Sequence, residues 1–179
     1  DNRRAVLYEA AMRALGDRLW DELDPARAGG ALPSPGWAVT ARLLHDSTGP
    51  WWDVRATPDL REDRDRLLAD ALAAALPEVI ARHGEPDAGG WRWDRVRHAN
   101  IHHLLRLPGL SALRIPVQGG QSTLNPFSGS GSFGPSWRMV VELGPEVRGW
   151  GTYPGGQSGN PASSRYADRI GQWSDGELD

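Results

Sequence analysis

The chain has 179 residues, of which 39% are hydrophobic and 24% are charged, and its formal net charge is −3. This composition predicts one globular domain, or one large piece of a bigger domain, without the basic surplus or the long apolar run that binding to nucleic acid or crossing a membrane requires. The absence of cysteine excludes disulfides, thiol nucleophiles and zinc–thiolate sites.

The first predicted element is an amphipathic helix over residues 3–23. Its apolar positions recur at helical spacing: Leu7, Ala11, Ala14, Leu15, Leu19 and Leu23. Pro25 and Gly29-Gly30 are expected to end it, and residues 37–44 predict a second, short helix. Because the chain starts at Asp1 within the helical pattern, without methionine or a signal peptide, we expect it to be cut from a longer polypeptide.

Trp51 and Trp52 follow in a loop between two turn-forming segments. Two large aromatic side chains at such a position must bury against something. We expect the pair to anchor the loop in the core, and the alternative is a platform on which a ligand stacks.

The longest predicted helix starts at Thr57-Pro58, since proline suits the first helical position and the acidic residues that follow suit the positive end of a helix. We expect Pro77 to kink its last turns and Gly84 to end it. The alternating charges of residues 61–66 predict a solvated, ion-paired face. The apolar face comprises Leu60, Leu67, Leu68, Ala71, Leu72, Ala75, Leu76, Val79 and Ile80.

The character of the chain changes near residue 90. We predict a mainly helical half, residues 1–90, and a strand-and-loop half, residues 91–179, with a closing C-terminal helix, both as parts of one larger domain. Residues 91–101 suggest extended chain, residues 129–132 resemble a flexible linker that its neighbours hold in place, and residues 137–153 predict a β-hairpin.

The hairpin leads into a polar turn, PGGQSGNP at residues 154–161, which cannot lie inside a helix or a central strand. We expect Gly155, Gly156 and Gly159 to adopt positive φ there. Behind the turn, Ser163 or Ser164 is expected to cap a short helix that carries Tyr166, Ile170 and Trp173.

Three histidines, His98, His102 and His103, lie near Asp94 and invite a metal-site interpretation, because residues four apart share a helix face. The zincin pattern, however, needs Glu directly after its first histidine, and position 99 is Ala. We therefore expect a histidine cluster beside an apolar turn, and no metal site.

Ser158 lies in a segment one residue short of the G-x-S-x-G nucleophile motif. A nucleophile elbow needs a strand directly before the turn and a helix directly after it, whereas here Pro154 and Pro161 flank it. We expect Ser158 to form the turn through its hydroxyl.

Arg138 lies in a predicted strand on the face opposite Trp137, Met139 and Val141. If that face is covered, the guanidinium needs a partner such as Glu142, Asp168 or a turn carbonyl. We expect a structural ion pair, and the alternative is an anchor for a substrate carboxylate.

Three stretches taken together resemble a known family: GGQSTLN at 119–125, SWRMVVEL at 136–143 and PGGQSGNP at 154–161. The resemblance extends back to Trp51-Trp52 and to Trp91-Arg92-Trp93 before His98. It is to the C-terminal part of the large subunit of the penicillin acylase (penicillin amidase) family of N-terminal-nucleophile hydrolases. Two positions depart from the family pattern: Arg165 stands where a histidine is frequent, and Asp94 where a glycine is usual.

The resemblance implies an α+β fold, the C-terminal portion of a four-layer αββα sandwich, with helices first, then strands and a closing helix. It implies hydrolysis of the acyl amide bond of β-lactams, acyl homoserine lactones or acylated peptides, by an N-terminal serine whose own α-amine acts as base. In that family the nucleophile, the oxyanion asparagine and the calcium ligands lie upstream of the matched region. It therefore assigns no catalytic, cofactor-binding or metal-binding residue to this chain, and Asp1 carries no nucleophilic group.

The partners implied are the remainder of the same precursor, namely the nucleophile-bearing segment upstream and the small subunit, and a small-molecule amide substrate of the full enzyme. Surfaces that normally pack on missing layers should make the isolated chain self-associate.

Two other functions stay open at this point. One is a self-contained module that binds carbohydrate or peptide through Trp51, Trp52, Trp91 and Trp150. The other, weaker one is a small serine hydrolase built on Ser158, one of the three histidines and Asp168.

Overall fold

The protein is seen in a computed structural model that describes residues 3–23, 35–120, 123–128, 131 and 133–179. The chain divides into two compact units, Asp1–Arg92 and Trp93–Asp179. The stops predicted at Pro25 and Gly29-Gly30 lie outside the described residues. So does the predicted linker, except for Gly131, whose carbonyl accepts a hydrogen bond from the Asn100 N–H at 3.0 Å.

Among its described residues, the first unit contains three α-helices: α1 (Arg3–Leu19), α2 (Trp37–Leu43) and α3 (Arg64–His83). Its core forms where α1 packs against α3. The buried apolar residues of the two helices are Val6, Ala10, Ala11, Leu15 and Leu19 from α1 and Leu67, Ala71, Ala75 and Val79 from α3. α1 ends four residues earlier than predicted, because the chain tightens into a 3₁₀ turn at Asp21–Leu23. Among the described residues, no helix could cross a membrane.

The start predicted for α3 is wrong, because the helix begins at Arg64 and not at Pro58. Asp63 is its N-cap, and the side chain of Asp63 accepts a hydrogen bond from the Arg66 N–H at 2.9 Å. Thr57 instead closes a turn with Leu60, whose N–H donates to its carbonyl at 2.9 Å. The end at Gly84 is confirmed, with φ at 77° there, and the kink at Pro77 stays a prediction.

Glu62 contradicts the predicted solvated face, because its side chain is buried. The carboxylate accepts a hydrogen bond from the Thr57 hydroxyl at 2.6 Å and one from the Val54 N–H at 3.3 Å. The Thr57 bond, more than the others, holds the pKa of Glu62 below its ordinary value. The carboxylate thus braces the loop that precedes α3. Arg66 and Asp70 do form the predicted kind of surface ion pair, at 2.9 Å.

The expectation that Trp51 and Trp52 anchor their loop is confirmed for Trp52. Its side chain is 0% exposed, and its indole N–H donates to the Asp46 carbonyl at 2.6 Å. Trp51 is 37% exposed and packs edge-on against Trp20, with the ring centroids 5.5 Å apart. The buried tryptophan is therefore a structural anchor, while its neighbour covers the rim of the same core.

The second unit is a mixture of short helices and antiparallel strands, as an α+β class requires. Its elements are α4 (Trp93–Val96), β1 (His98–Ile101), β2 (Ala112–Pro116), β3 (Arg138–Glu142), β4 (Arg148–Thr152) and α5 (Ile170–Asp175). β1 pairs with β2, and β3 pairs with β4. The core consists of Ala99, Ile115, Val117, Phe127 and Trp173.

The hairpin predicted over 137–153 is confirmed, with Arg138 opposite Thr152 and Glu142 opposite Arg148. The extended chain predicted for Trp93 and Val96 is wrong, because this stretch forms one helical turn closed by a hydrogen bond from the Arg97 N–H to the Trp93 carbonyl at 2.8 Å. The turn allows the Trp93 indole N–H to donate to the Gly119 carbonyl at 2.9 Å.

The closing helix is shorter than predicted, because α5 begins at Ile170. The Ser163 hydroxyl does not cap a helix; it accepts a hydrogen bond from the Arg165 N–H at 3.1 Å within a turn. The Tyr166 hydroxyl, ahead of the helix, donates to the Leu110 carbonyl at 2.9 Å. Residues 161–169 therefore trace a series of turns, and Trp173 alone of the predicted helical stripe is fully buried.

Candidate functional site

The turn at residues 154–161 uses Ser158 to hold its backbone. The Ser158 hydroxyl accepts a hydrogen bond from the Asn160 N–H at 3.1 Å, and the Asn160 side-chain oxygen accepts one from the Ala162 N–H at 3.0 Å. In the described part of the chain, no histidine is hydrogen-bonded to this hydroxyl. Since a nucleophilic serine needs a base within reach of its proton, the geometry favours the predicted role of turn former.

The positive φ predicted for Gly155, Gly156 and Gly159 is wrong, because none of the three lies in the left-handed region. Gly156 is required for a different reason, the close approach of another segment. A Cβ atom there would lie 1.8 Å from the Arg165 carbonyl oxygen and 2.7 Å from the Asp168 Oδ1. The Gly156 N–H also donates to the Tyr166 carbonyl at 3.0 Å. The turn is thus locked onto residues 165–168.

Asp168 is engaged by an arginine and not by a histidine. Its carboxylate pairs with the Arg165 guanidinium at 3.0 Å, and the Arg165 side chain is largely exposed. A surface ion pair of this kind contributes little to stability. The Ser–His–Asp constellation weighed from the sequence is therefore not assembled among the described residues.

The three histidines do not share a helix face, because His98 begins strand β1 while His102 and His103 follow its end. The His103 ring nitrogen Nδ1 accepts a hydrogen bond from the Leu105 N–H at 3.2 Å, and the His103 N–H donates to the Ser111 hydroxyl at 3.0 Å. Within the described ranges, no group of three or more potential metal ligands lies together. His103 instead shapes the apolar turn that contains Leu104 and Leu105.

Arg138 forms no ion pair with any residue that the structure describes, so the predicted pairing with Glu142 or Asp168 is wrong. Its guanidinium donates to the main-chain carbonyl of Trp173 and lies over the Trp173 ring, 4.6 Å from the centroid. Its Nε and Nη2 atoms are buried without a hydrogen-bond partner. Burial lowers the pKa of Arg138. A substrate carboxylate has no access to these buried nitrogens, and the side chain fastens β3 to α5 by stacking.

Another arginine, the buried Arg97, was not predicted from the sequence. The Arg97 side chain lies over the Trp93 ring, 5.0 Å from its centroid, and donates to the Phe127 carbonyl at 3.1 Å. Burial lowers the pKa of Arg97 as well. No motif marks this position, since its environment depends on Phe127, thirty residues away along the chain.

In the first unit, the carboxylates of Asp21 and Glu22 lie next to each other directly after α1. Burial raises the pKa of Glu22, and the neighbouring Asp21 carboxyl adds to the rise. Asp21 also accepts a hydrogen bond from the Arg55 N–H at 2.8 Å, which ties this turn to the loop after Trp52. Two adjacent acids without a nucleophile or a third ligand are most simply structural.

The four tryptophans of the binding-module hypothesis differ in exposure. Trp52 and Trp91 are buried, and the Trp91 indole N–H donates to the Gly84 carbonyl at 2.7 Å. Trp51 and Trp150 are partly exposed. A platform made of all four side chains is therefore excluded, because two of them lie in the interior with their polar atoms already hydrogen-bonded.

Comparison with known proteins places these observations in a family. The sequence matches the penicillin amidase family over residues 1–179. It is 34% identical to the acyl-homoserine lactone acylase QuiP of Pseudomonas putida, over 97% of this chain and 23% of that protein. It is 32% identical to the protein of the same name in Pseudomonas syringae pv. syringae, over 96% and 22%, and 30% identical to the one in Pseudomonas aeruginosa, over 94% and 23%.

The chain thus spans less than a quarter of the length of these relatives. The match covers all 179 residues, including the hairpin, the polar turn and the closing helix whose contacts are described above. It confirms the resemblance noted from the sequence. This chain belongs to the penicillin amidase family.

Proposed function

We propose that this chain is the C-terminal part of a penicillin-amidase-type amidohydrolase and that it supplies scaffold to an active site whose nucleophile lies elsewhere in the same precursor. The complete enzyme would hydrolyse the acyl amide bond of a small molecule. Acyl homoserine lactones are the favoured substrate class, since the matched relatives are named as acylases of these compounds. The four-layer αββα fold of the complete enzyme belongs to the same proposal.

The observation that carries the scaffold role is the exposure of the β3–β4 hairpin. Apolar side chains are exposed on both of its faces: Met139 and Val141 on one, and Val140 and Trp150 on the other. Leu143, which follows β3, is 87% exposed. An isolated two-stranded sheet is marginally stable in water, and apolar residues on both faces are typical of a strand pair buried between layers.

Helix α3 supports the same proposal. Its inner face packs on α1, whereas Leu72 and Leu76 on another face are exposed. Large apolar side chains exposed together commonly mark a site of interaction with protein. The polar candidates, by contrast, are occupied by structural contacts: Ser158 in its turn, Asp168 with Arg165, and Arg138 over the Trp173 ring.

We expect the isolated chain to self-associate, because the hairpin and α3 expose apolar surface that water disfavours. Light scattering over a range of concentrations should show a dimer or larger species. As a matched control, the double substitution Val141→Thr and Leu143→Ser should shift the equilibrium toward monomer without changing the helical content. A wild-type chain that stays monomeric at millimolar concentration would contradict the scaffold proposal.

We also expect the isolated chain to hydrolyse no amide, since amide hydrolysis needs an activated nucleophile and preorganised donors to the oxyanion. The test is incubation with an acyl homoserine lactone and with a chromogenic phenylacetyl anilide, beside the Ser158→Ala variant. That variant should lose about 1 kcal/mol of stability at most, the worth of one hydrogen bond. Turnover above background that disappears in Ser158→Ala would establish the serine-hydrolase alternative instead.

The enzymatic part of the proposal is tested with the complete gene product. It should release homoserine lactone from an acyl homoserine lactone, and an alanine substitution at its self-processing nucleophile should abolish both processing and turnover. A complete, folded product with no amidase activity on any of the three amide classes would exclude the proposed function.

A further inference from the structure

The backbone of β4 reveals which groups of the hairpin point outward. The Gly151 N–H donates to the Asp179 carbonyl at 3.0 Å, and the Gly151 carbonyl accepts from the Asp179 N–H at 3.4 Å. Both groups of Gly151 therefore point away from β3, so Gly151 and Met139 opposite it form a non-hydrogen-bonded pair of the ladder. Because such pairs alternate along an antiparallel ladder, Met139 and Val141 direct their N–H and C=O groups to the outer edge of β3.

The two edges of the hairpin differ near Gly151, whereas the outward groups of Gly149 on β4 have no backbone partner among the described residues. At the edge of β4, the backbone of Gly151 is hydrogen-bonded to that of Asp179. The Arg169 Nη1 donates to both carboxylate oxygens of Asp179, at 2.7 Å each. At the edge of β3, the described residues make no backbone hydrogen bond to the outward groups of Met139 or Val141. The strand is regular in register and has no proline or charged residue between Arg138 and Glu142. The central residues Met139, Val140 and Val141 thus carry none of the prolines or charges that usually protect a free edge.

We propose that a β-strand from the remainder of the same polypeptide pairs with the outer edge of β3 through the N–H and C=O groups of Met139 and Val141. This inference rests on the proposed function. A longer polypeptide is expected to supply the strand, because the matched relatives are more than four times as long as the region they share with this chain. Strand addition satisfies the unpaired main-chain groups, and it extends the apolar faces on which further layers pack.

A second copy of the chain fits this edge less well than a strand of the same polypeptide. Two five-residue β3 strands paired edge to edge would satisfy the main-chain groups, but the side chains on both faces would stay in water. Met139 is 57% exposed and Val141 is 43% exposed. Covering them requires layers above and below the sheet, which the remainder of the polypeptide has the length to supply.

Val141→Pro tests the edge directly. Proline removes the outward N–H of residue 141, whereas the hydrogen bonds to β4 are made by Arg138, Val140 and Glu142 and remain. In the isolated chain the melting temperature should change by less than about 3 °C, because proline is tolerated at a free edge. In the complete gene product the yield of soluble, processed enzyme should fall at least about tenfold, because the added strand loses its partner.

Gly149→Pro is the matched control, since Gly149 lies opposite Val141 and directs its N–H to the edge of β4. It should leave the yield of processed enzyme within about twofold of wild type. Equal losses from both variants, or no loss from Val141→Pro, would overturn the proposal.

Amide hydrogen exchange measures the protection of the outward amides of β3 without any substitution. In the isolated chain, diluted until it is monomeric, the amides of Met139 and Val141 should exchange quickly, while that of Val140 is protected by β4. In the complete protein the first two should exchange at least about a hundredfold more slowly. An active complete enzyme that leaves them unprotected, or protects them only when it dimerises, overturns the strand proposal alone. A complete protein without amidase activity overturns the proposed function. Even in that case, protection of the two amides shows whether a strand pairs with the edge of β3.

Discussion

Replacing Gly156 by valine is expected to unfold the second unit or to leave it barely stable. A Cβ atom at this position would lie 1.8 Å from the Arg165 carbonyl oxygen and 2.5 Å from its carbon. Both are main-chain atoms. The Arg165 carbonyl also accepts a hydrogen bond from the Ser158 N–H, and the Tyr166 carbonyl accepts one from the Gly156 N–H. The clash can be relieved only by separating the two segments. We expect a loss of about 3 kcal/mol or more and a fall in melting temperature of roughly 10 °C or more.

Gly155→Ala is the control for that experiment, because a Cβ at Gly155 would meet no atom within 4 Å. Its φ is not in the left-handed region either. Alanine there should change the free energy of unfolding by less than about 1 kcal/mol. Comparable destabilisation by both variants, measured by thermal and urea unfolding, would show that the turn needs glycine for its flexibility and not for the close approach of Arg165.

Replacing Trp52 by alanine is expected to cost the first unit about 3–5 kcal/mol, the range for removal of a fully buried aromatic side chain. Trp52 has no exposed surface and packs in the core that contains Leu15, Leu19 and Leu67. The change also leaves the Asp46 carbonyl without its indole donor. Urea unfolding, followed by circular dichroism at helix wavelengths, measures the loss.

Two substitutions separate the contributions to this effect. Trp52→Phe keeps most of the packing and removes the donor to Asp46, so it should cost about 1–2 kcal/mol. Trp51→Ala, at the adjacent and partly exposed position, should cost about 1 kcal/mol or less. If Trp51→Ala were instead neutral for stability but abolished binding to a glycan or peptide array, the binding-module hypothesis would regain support.

The hairpin shows how much local pattern can predict. The alternation of apolar side chains from Trp137 to Leu143 is local, and the hairpin predicted at residues 137–153 is found there. The same holds for α1, whose stripe recurs at helical spacing, and for the end of α3 at Gly84. The start of α3 was misplaced, because Thr57-Pro58 and Asp63 are both good start signals and Glu62 decides between them through hydrogen bonds to Val54 and Thr57.

The polar candidates illustrate the opposite case. Arg138 was expected to meet a carboxylate, but it lies over Trp173, which is thirty-five residues away along the chain. Gly156 was assigned to the right turn for the wrong reason, since positive φ is a property of one residue while the approach of Arg165 depends on two segments. Ser158 was expected to hold its turn, and its acceptance of the Asn160 N–H supports that interpretation because the contact spans only two residues.

The amino-acid sequence by itself therefore determined the family, the mixed helix and strand class, the hairpin and the lack of a thiol nucleophile, because each is written in composition or in neighbouring residues. Only the tertiary structure decided which side chains are buried: Glu62, Arg97 and Trp52 inside, and Leu72 and Val141 in water. Burial depends on which segments meet, and that is a property of long-range packing that no local window of sequence contains. The same physics applies to the β3–β4 hairpin, whose apolar side chains on both faces are exposed among the described residues.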